Sequence, residues 1–325
     1  MEPIGLIGAG VMGIAATKRL LDCGKRVLVY DRSHTACEKA RRVGADVAGY
    51  AGDVAADCSV ILMFLPGPDE VSECVAGPEG ILPLCSPGTV IVDMSTVDPR
   101  TTIAMAKLAK SRGVGYLDAP VLGRPVSVGR WALPVGGARE DLNRCMEVLS
   151  HLATAIIHVG ESGTGNKIKL LNQMMFGAIN AMTAEMIAVS DKLGIPPSFL
   201  FDVITSSQAG TVSNLFRELG SKIRAGDYDE PIFSVNLLCK DVRLALEMAE
   251  EAGAPPLLTR VVQFVNEVAR SQGFGDKDTS IMWKIFPTLW GQQPDRRSEG
   301  ATSEPPNACG LKQYNRSTNS GQIGR

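Results

Sequence analysis

The sequence has few side chains suited to acid–base chemistry and no surplus of either charge. It contains three His and five Tyr in 325 residues, and 33 Lys and Arg stand against 35 Asp and Glu. Binding to nucleic acid or to an anionic membrane surface usually needs a basic excess. Neither is therefore expected as the main partner, and a histidine-based active site is not favoured.

Long apolar runs and paired cysteines are also missing. No apolar run approaches the ~18 residues that predict a membrane helix, so no membrane span is expected. The eight Cys lie scattered, without a CxxC pair or zinc-like spacing, and the N-terminus has no leader-like segment. We expect reduced thiols, no metal site and a cytoplasmic protein.

The first half of the chain alternates strand-length apolar runs with helical patterns. The runs are rich in Val, Ile and Leu without alternation, which is typical of strands buried on both faces. They cover residues 4–10, 27–31, 60–66 and 90–95, with later ones at 115–120 and 153–160. This alternation predicts an α/β domain with a doubly wound parallel sheet over residues 1–161.

The second half is helical. Residues 166–194 form one uninterrupted helical pattern, about 43 Å long at 1.5 Å per residue. Further helical segments follow, so an all-α domain is predicted over residues 162–290. Residues 291–325 are rich in Gly, Pro, Ser, Asn and Gln, which predicts a disordered tail.

A glycine-rich turn directly follows the first predicted strand and opens a helix. It consists of Gly8, Ala9, Gly10, Val11, Met12 and Gly13. Glycines in this GxGxxG spacing allow a tight turn and close approach of the backbone to a pyrophosphate, which the helix N-terminus attracts. A turn without a ligand is the weaker interpretation, because the motif lies on the required strand and helix.

An acidic residue, Asp31, ends the second predicted strand. A carboxylate there can accept hydrogen bonds from the adenosine ribose, and its charge would repel a 2′-phosphate. This favours NAD. The neighbouring Arg32 could accommodate that phosphate, so NADP stays open.

The best candidate for proton transfer lies where a glycine-rich link opens the long helix. Lys169, Asn172 and Gln173 are spaced i, i+3 and i+4 and share one helical face. A lysine desolvated in a cleft can exchange protons near neutral pH, and a carboxamide can orient it or the substrate. A solvated helix start that carries Lys167 and Lys169 explains the same residues equally well.

Several motifs in order resemble the β-hydroxyacid dehydrogenase family, which includes 3-hydroxyisobutyrate dehydrogenases and tartronate semialdehyde reductases and, more distantly, 6-phosphogluconate dehydrogenase. The motifs are GLIGAGVMG, FLPGP, DMSTVDP, GTGNKIKLLNQ and CKDVRLALEMA, and the resemblance runs from about residue 3 to about residue 288. It implies an N-terminal Rossmann domain, an all-α C-terminal domain, and a homodimer or homotetramer packed through the long helix.

The resemblance also implies roles for individual residues. Lys169 would be the general acid/base, and Asn172 and Gln173 would help to hold the substrate. The residues implied to line the cofactor site are Leu65, Pro66, Glu70, Thr96 and, from the helical domain, Lys240.

The segment DAPVLGR departs from the family pattern DAPVSGG. Leu122 stands where the family has a serine whose hydroxyl contacts the substrate, and Gly123 and Arg124 follow it. Loss of that donor weakens binding of a small hydroxy acid unless another donor compensates. Arg124 can compensate with a two-pronged contact. Its alternative role is a rim charge or a partner for Asp118.

The sequence thus predicts an NAD-dependent oxidoreductase that moves a hydride between the cofactor and a β-hydroxy acid or its semialdehyde. The substrate is expected to be a small organic acid. Two alternatives stay open: reduction of a C=N bond, which Leu122 favours and Lys169 opposes, and a non-catalytic dehydrogenase-fold scaffold.

Overall fold

The computed structural model describes residues 2–206 and 213–291. The predicted tail, residues 291–325, lies outside the described residues except for Gly291. The described chain contains eight strands: β1 Ile4–Ile7, β2 Val27–Tyr30, β3 Asp46–Val47, β4 Val60–Met63, β5 Val90–Asp93, β6 Gly115–Asp118, β7 Trp131–Gly136 and β8 Ala153–Gly160.

All eight strands form one sheet in the order β3-β2-β1-β4-β5-β6-β7-β8. Pairing is parallel except between β6 and β7, which run antiparallel. The mostly parallel, doubly wound sheet confirms the predicted fold class. Strands β3 and β7 were not predicted, because β3 has two residues and Pro134 interrupts the strand pattern of β7.

The α-helices are α1 Val11–Asp22, α2 His34–Arg42, α3 Ala51–Asp57, α4 Pro68–Ala76, α5 Pro99–Lys110, α6 Arg139–Leu152, α7 Thr164–Lys192, α8 Pro197–Ser206, α9 Asn214–Ala225, α10 Val235–Glu251, α11 Leu257–Ala269 and α12 Phe286–Leu289. Buried side chains of α1, α2 and α6 pack on one face of the sheet. Those of α3, α4 and α5 pack on the other face. Covering both faces explains why the strands are apolar without alternation.

Helix α7 leads from the sheet into the helical half of the molecule. It runs for 29 residues, which confirms the long helix predicted from the sequence. Its middle and end pack against α10, α11 and the segment Thr279–Ile285 in a core of their own. Among the described residues, we find no helix with the length and apolarity that crossing a membrane requires.

Candidate active site

A cleft of about 530 Å³ opens at the carboxyl ends of the strands and extends to the helical half. Its walls come from the glycine-rich turn, the loops after β4, β5 and β6, the first turns of α7, and residues of α9 and α10. Ligands of open α/β sheets bind at this end of the strands. The cleft is therefore the candidate active site.

Three glycines shape a cradle at the N-terminus of α1. Gly8 has a positive φ of 97°, and a Cβ there would collide with the carbonyl oxygen of Phe64. A Cβ on Gly13 would collide with the carbonyl oxygen of Gly8. By contrast, a Cβ on Gly10 would meet nothing within 4 Å, and no side chain caps the helix. The open space and the uncapped N–H groups fit a pyrophosphate.

Asp31 fastens this cradle to the end of β2. One carboxylate oxygen accepts the N–H of Ala9 over 2.7 Å, and the other accepts the N–H of Ser33 over 2.8 Å. Arg32 is exposed beside it. Asp31 thus holds the glycine turn in shape from the end of β2.

The loops after β4 and β5 are tied together by a buried carboxylate. Asp93 accepts the hydroxyl of Tyr116 over 2.9 Å and the N–H of Ser95 over 3.0 Å. The Ser95 hydroxyl in turn accepts the N–H of Leu65 over 2.9 Å. Burial raises the pKa of Asp93, while these donors act in the opposite direction. The network fixes the two loops at the cleft.

The first turn of α7 is anchored on the end of β6. Asp118 accepts the N–H of Gly163 over 2.8 Å and that of Asn166 over 2.9 Å. Burial raises the pKa of Asp118 to about 6, although both N–H groups oppose the shift. Gly165 allows the close approach, since a Cβ there would lie 2.6 Å from the Asp118 and Pro134 carbonyl oxygens.

Lys169 lines the cleft one turn further along α7. Its Nζ donates to the carbonyl oxygen of Val121 over 2.9 Å. Burial lowers the pKa of Lys169 from 10.5 to about 8; Asp241 opposes this shift, and the positive charges of Lys240 and Arg124 add to it. An amine with such a pKa can both accept and donate a proton near neutral pH.

A polar chain connects α7 to α10 beside this lysine. The Asn172 amide donates to Gln173 over 3.2 Å, and the Gln173 amide donates to the buried Asp241 over 2.5 Å. Lys240 lies 2.6 Å from the other Asp241 oxygen and donates to the carbonyl oxygen of Thr96 over 2.8 Å. Lys240 thereby links the helical half to the loop after β5.

The backbone of Leu122 is occupied by the protein itself. Its N–H donates to the carbonyl oxygen of Ala132 over 2.9 Å, and its carbonyl accepts the Ala132 N–H over 3.1 Å. A Cβ on Gly123 would collide with the ring of Trp131. Leu122 therefore presents an apolar side chain to the cleft, and its own N–H is not free to donate to a ligand.

Arg124 is held by groups from three elements. Its Nε donates to Glu218 of α9 over 2.9 Å, and its guanidinium carbon lies 4.9 Å above the ring centre of Phe176 in α7. Its carbonyl accepts the indole N–H of Trp131 over 2.8 Å. The partner of Arg124 is therefore Glu218. Asp118, the partner considered from the sequence, pairs with the start of α7.

Most of the residues predicted for the site do lie together. The cleft is lined by Gly10, Val11, Met12, Gly13, Leu65, Pro66, Thr96, Leu122, Gly123, Arg124, Lys169, Asn172, Gln173 and Lys240. The remaining predicted residues, Gly8, Ala9, Asp31, Arg32 and Glu70, do not line it. The first four lie at the glycine turn and the end of β2, and Glu70 lies in the first turn of α4.

Sequence reasoning missed four groups that shape the site. Asp241 lies in the motif CKDVRLALEMA and Asp93 in DMSTVDP, but neither of them was assigned a role from the sequence. Phe176 and Glu218 carry no local signal, because an isolated aromatic or acidic residue on a helix normally belongs to the core or to the surface.

Comparison with known proteins identifies the family of this chain. Residues 3–160 match the family model of the NAD-binding domain of 6-phosphogluconate dehydrogenase, and residues 163–286 match that for NAD binding of NADP-dependent 3-hydroxyisobutyrate dehydrogenase. The chain is 32% identical over 290 residues to 2-(hydroxymethyl)glutarate dehydrogenase of Eubacterium barkeri, covering 89% of this chain and 96% of the relative.

Solved structures show the same relationship. A 3-hydroxyisobutyrate dehydrogenase from Salmonella typhimurium superposes with a TM-score of 0.82 at 26% identity, covering 88% of this chain and all of that one. The 3-hydroxyisobutyrate dehydrogenase of Mycobacterium tuberculosis, solved with L-serine, gives 0.75 at 28% identity, covering 88% and 99%. The chain therefore belongs to the 3-hydroxyisobutyrate dehydrogenase family, the NAD(P)-dependent β-hydroxyacid dehydrogenases.

Proposed function

We propose that this protein oxidises a β-hydroxy acid to its semialdehyde with NAD, or catalyses the reverse reduction, and that Lys169 is its general acid/base. The observation that carries the proposal is the Lys169 amine itself. It lies in the cleft, is oriented by the Val121 carbonyl 2.9 Å away, and has its pKa lowered by burial to about 8.

The cofactor and Lys169 have separate roles in this reaction. A bound NAD supplies the hydride acceptor at its nicotinamide ring. In the oxidation direction the neutral Lys169 amine takes the proton of the substrate hydroxyl, and in the reduction direction the ammonium returns it to the carbonyl oxygen. The contact with Val121 uses one N–H and keeps the nitrogen in place without consuming its lone pair.

The substrate binds to residues that line the cleft between the glycine turn and α10. Leu122 and Gly123 form the wall after β6, Arg124 supplies a cation, and Asn172 and Gln173 supply carboxamides. The relatives' names denote acids with a hydroxymethyl group one carbon from the carboxylate, namely 3-hydroxyisobutyrate and 2-(hydroxymethyl)glutarate. A compound of this class fits a cleft with a lysine and an arginine on its walls.

The experiment is to assay Lys169→Ala against Lys167→Ala on a panel of β-hydroxy acids at the NADH absorbance. We expect Lys169→Ala to lower turnover by about 10²- to 10⁴-fold, the range of general acid–base catalysis, while NAD binding stays nearly intact. Near-normal turnover by Lys169→Ala would overturn the assignment. Cyclic imines in the same panel test C=N reduction, and turnover of any substrate eliminates a non-catalytic scaffold.

We also propose that the protein is a homo-oligomer joined through its helical half. Leu171, Met175 and Met182 lie exposed on α7, and Leu257 and Leu258 of α11 are 81% and 79% exposed. Apolar surface of this kind marks protein interfaces. Sedimentation analysis of wild type and of Met182→Lys tests the assignment. The cytoplasmic location inferred from the sequence stays a prediction.

A further inference from the structure

The cleft carries three cationic side chains, and their contacts differ. Lys169 donates to a carbonyl oxygen and has a lowered pKa, and Lys240 is committed to Asp241 and to the carbonyl oxygen of Thr96. Arg124 uses its Nε for Glu218. Within residues 2–206 and 213–291, the two terminal nitrogens of Arg124 have no hydrogen-bond partner.

The guanidinium of Arg124 is also fixed in orientation. Glu218 accepts a hydrogen bond from its Nε, and the guanidinium carbon lies 4.9 Å from the ring centre of Phe176. At its base the Arg124 N–H donates to the Ser127 hydroxyl over 3.0 Å, and Pro125 restricts the backbone. A guanidinium that is bonded at Nε and packed over an aromatic ring presents its two terminal nitrogens in a defined direction.

The terminal nitrogens of Arg124 offer the hydrogen-bond donors that Leu122 does not provide. Leu122 has no side-chain donor, and its N–H is bonded to the Ala132 carbonyl. A carboxylate in the cleft needs donors, and a guanidinium edge matches its two oxygens in a two-pronged contact. Arg124 and Lys169 line the same cleft, and the positive charge of Arg124 helps to lower the pKa of Lys169.

We propose that Arg124 binds the carboxylate of the substrate through its two terminal nitrogens, and that Glu218 is a positioning residue that aims it. The inference rests on the proposed oxidation of a β-hydroxy acid and names the group that selects the substrate. The substrate lies with its acid group on Arg124 and its hydroxyl at Lys169. Glu218 acts through the hydrogen bond that it accepts from Nε.

The test compares an acid with its neutral ester. Kinetics are measured with NAD on 3-hydroxyisobutyrate and on its methyl ester, for wild type, Arg124→Ala and Arg124→Lys. We expect Arg124→Ala to raise KM for the acid by about 10- to 100-fold, the range for hydrogen bonds to a charged group, and to change the ester by less than about threefold. Arg124→Lys recovers part of the loss, because an ammonium lacks the fork geometry. Equal effects on acid and ester would overturn the proposal.

Glu218 is tested by a conservative variant and a double-mutant cycle. Glu218→Ala is expected to raise KM for the acid about tenfold with kcat little changed, whereas Glu218→Gln, which still accepts from Nε, stays near wild type. In the Arg124→Ala background, Glu218→Ala should have no further effect. Glu218 does not act through Arg124 if Glu218→Ala still raises KM about tenfold in the Arg124→Ala background. The same conclusion follows if Glu218→Gln raises KM as much as Glu218→Ala does. Glu247→Ala, which breaks an ion pair away from the cleft, is the matched control.

Binding measurements separate this inference from the proposed reaction. Calorimetric titration of 3-hydroxyisobutyrate into Lys169→Ala loaded with NAD reads binding without chemistry. Binding that is lost when Arg124→Ala is added supports the inference, whether or not the acid is turned over. Unchanged binding in that double variant overturns it, even if Lys169 proves essential for catalysis.

Discussion

Asp118 accepts the backbone N–H of Asn166 over 2.9 Å and so joins the end of β6 to the first turn of α7. The same carboxylate accepts the N–H of Gly163. Asn166 extends the junction, because its side chain accepts the N–H of Val97 and donates to the Thr102 hydroxyl. Lys169 lies three residues beyond Asn166, so its position is set by this buried junction.

Removing the carboxylate should therefore damage both stability and turnover. Asp118→Ala leaves two buried N–H groups without an acceptor, at about 1–3 kcal/mol each, so we expect the free energy of unfolding to fall by roughly 2–6 kcal/mol. Asp98→Ala removes the N-cap of α5, which is bonded to Thr101, and should cost only about 1 kcal/mol. Urea unfolding of both variants measures the difference, and equal losses would contradict the assigned role.

The position of Lys169 was largely predictable from the sequence. The glycine-rich link, the helical periodicity and the i, i+3, i+4 spacing are local features, and they place Lys169, Asn172 and Gln173 on one face of α7. The glycine turn was predictable for the same reason, since the GxGxxG spacing directly after a strand-length apolar run is a local feature. What these residues do together depends on which elements surround them.

The partners of the site residues on other helices were not predictable from local sequence patterns. Arg124 and Glu218 are 94 residues apart, and Gln173 and Asp241 are 68 apart. No spacing rule links residues on helices that meet only after folding. From the sequence, Arg124 could be a rim charge or a partner of Asp118. In the structure its partner is Glu218, because α9 lies against the loop after β6.

The pH dependence of turnover should follow Lys169. Oxidation needs the neutral amine and reduction needs the ammonium. With a pKa of about 8, kcat/KM for oxidation should rise as pH increases through 8, and that for reduction should fall over the same range. Initial rates from pH 6 to 10 in both directions provide the measurement. Profiles that rise or fall together in the two directions would assign the proton transfer to another group.

The same buried amine should lower the stability of the fold. Its pKa falls from 10.5 to about 8 on folding, so the unfolded chain binds more protons between these values and the folded state gains stability as pH rises through them. Lys169→Met removes this cost of about 3 kcal/mol and leaves the Val121 carbonyl unpaired at about 1 kcal/mol, for a net gain of about 2 kcal/mol at pH 7.

Chemical denaturation at pH 7 and pH 10 checks this gain. The stability gain of Lys169→Met should become smaller towards pH 10, where the unfolded lysine also begins to lose its proton. The exposed Lys167→Met, two residues away, is the matched control and should stay within about 0.5 kcal/mol of wild type. A gain that is the same at both pH values would mean that packing, and not burial of charge, is responsible.

Cofactor choice should depend on Asp31. Its carboxylate accepts the Ala9 and Ser33 N–H groups at the end of β2, and we expect its negative charge to repel a 2′-phosphate. We expect wild type to prefer NAD, and Asp31→Asn to shift the NADP to NAD ratio of kcat/KM by about tenfold towards NADP, because like charges brought together cost more than 1 kcal/mol. Asn can still accept a hydrogen bond, so the glycine turn is preserved better than with Ala.

Arg32→Ala should reduce use of NADP and leave use of NAD unaffected, since the exposed guanidinium has no role with an unphosphorylated ribose. A wild-type preference for NADP would place Arg32, and not Asp31, in control of the ribose.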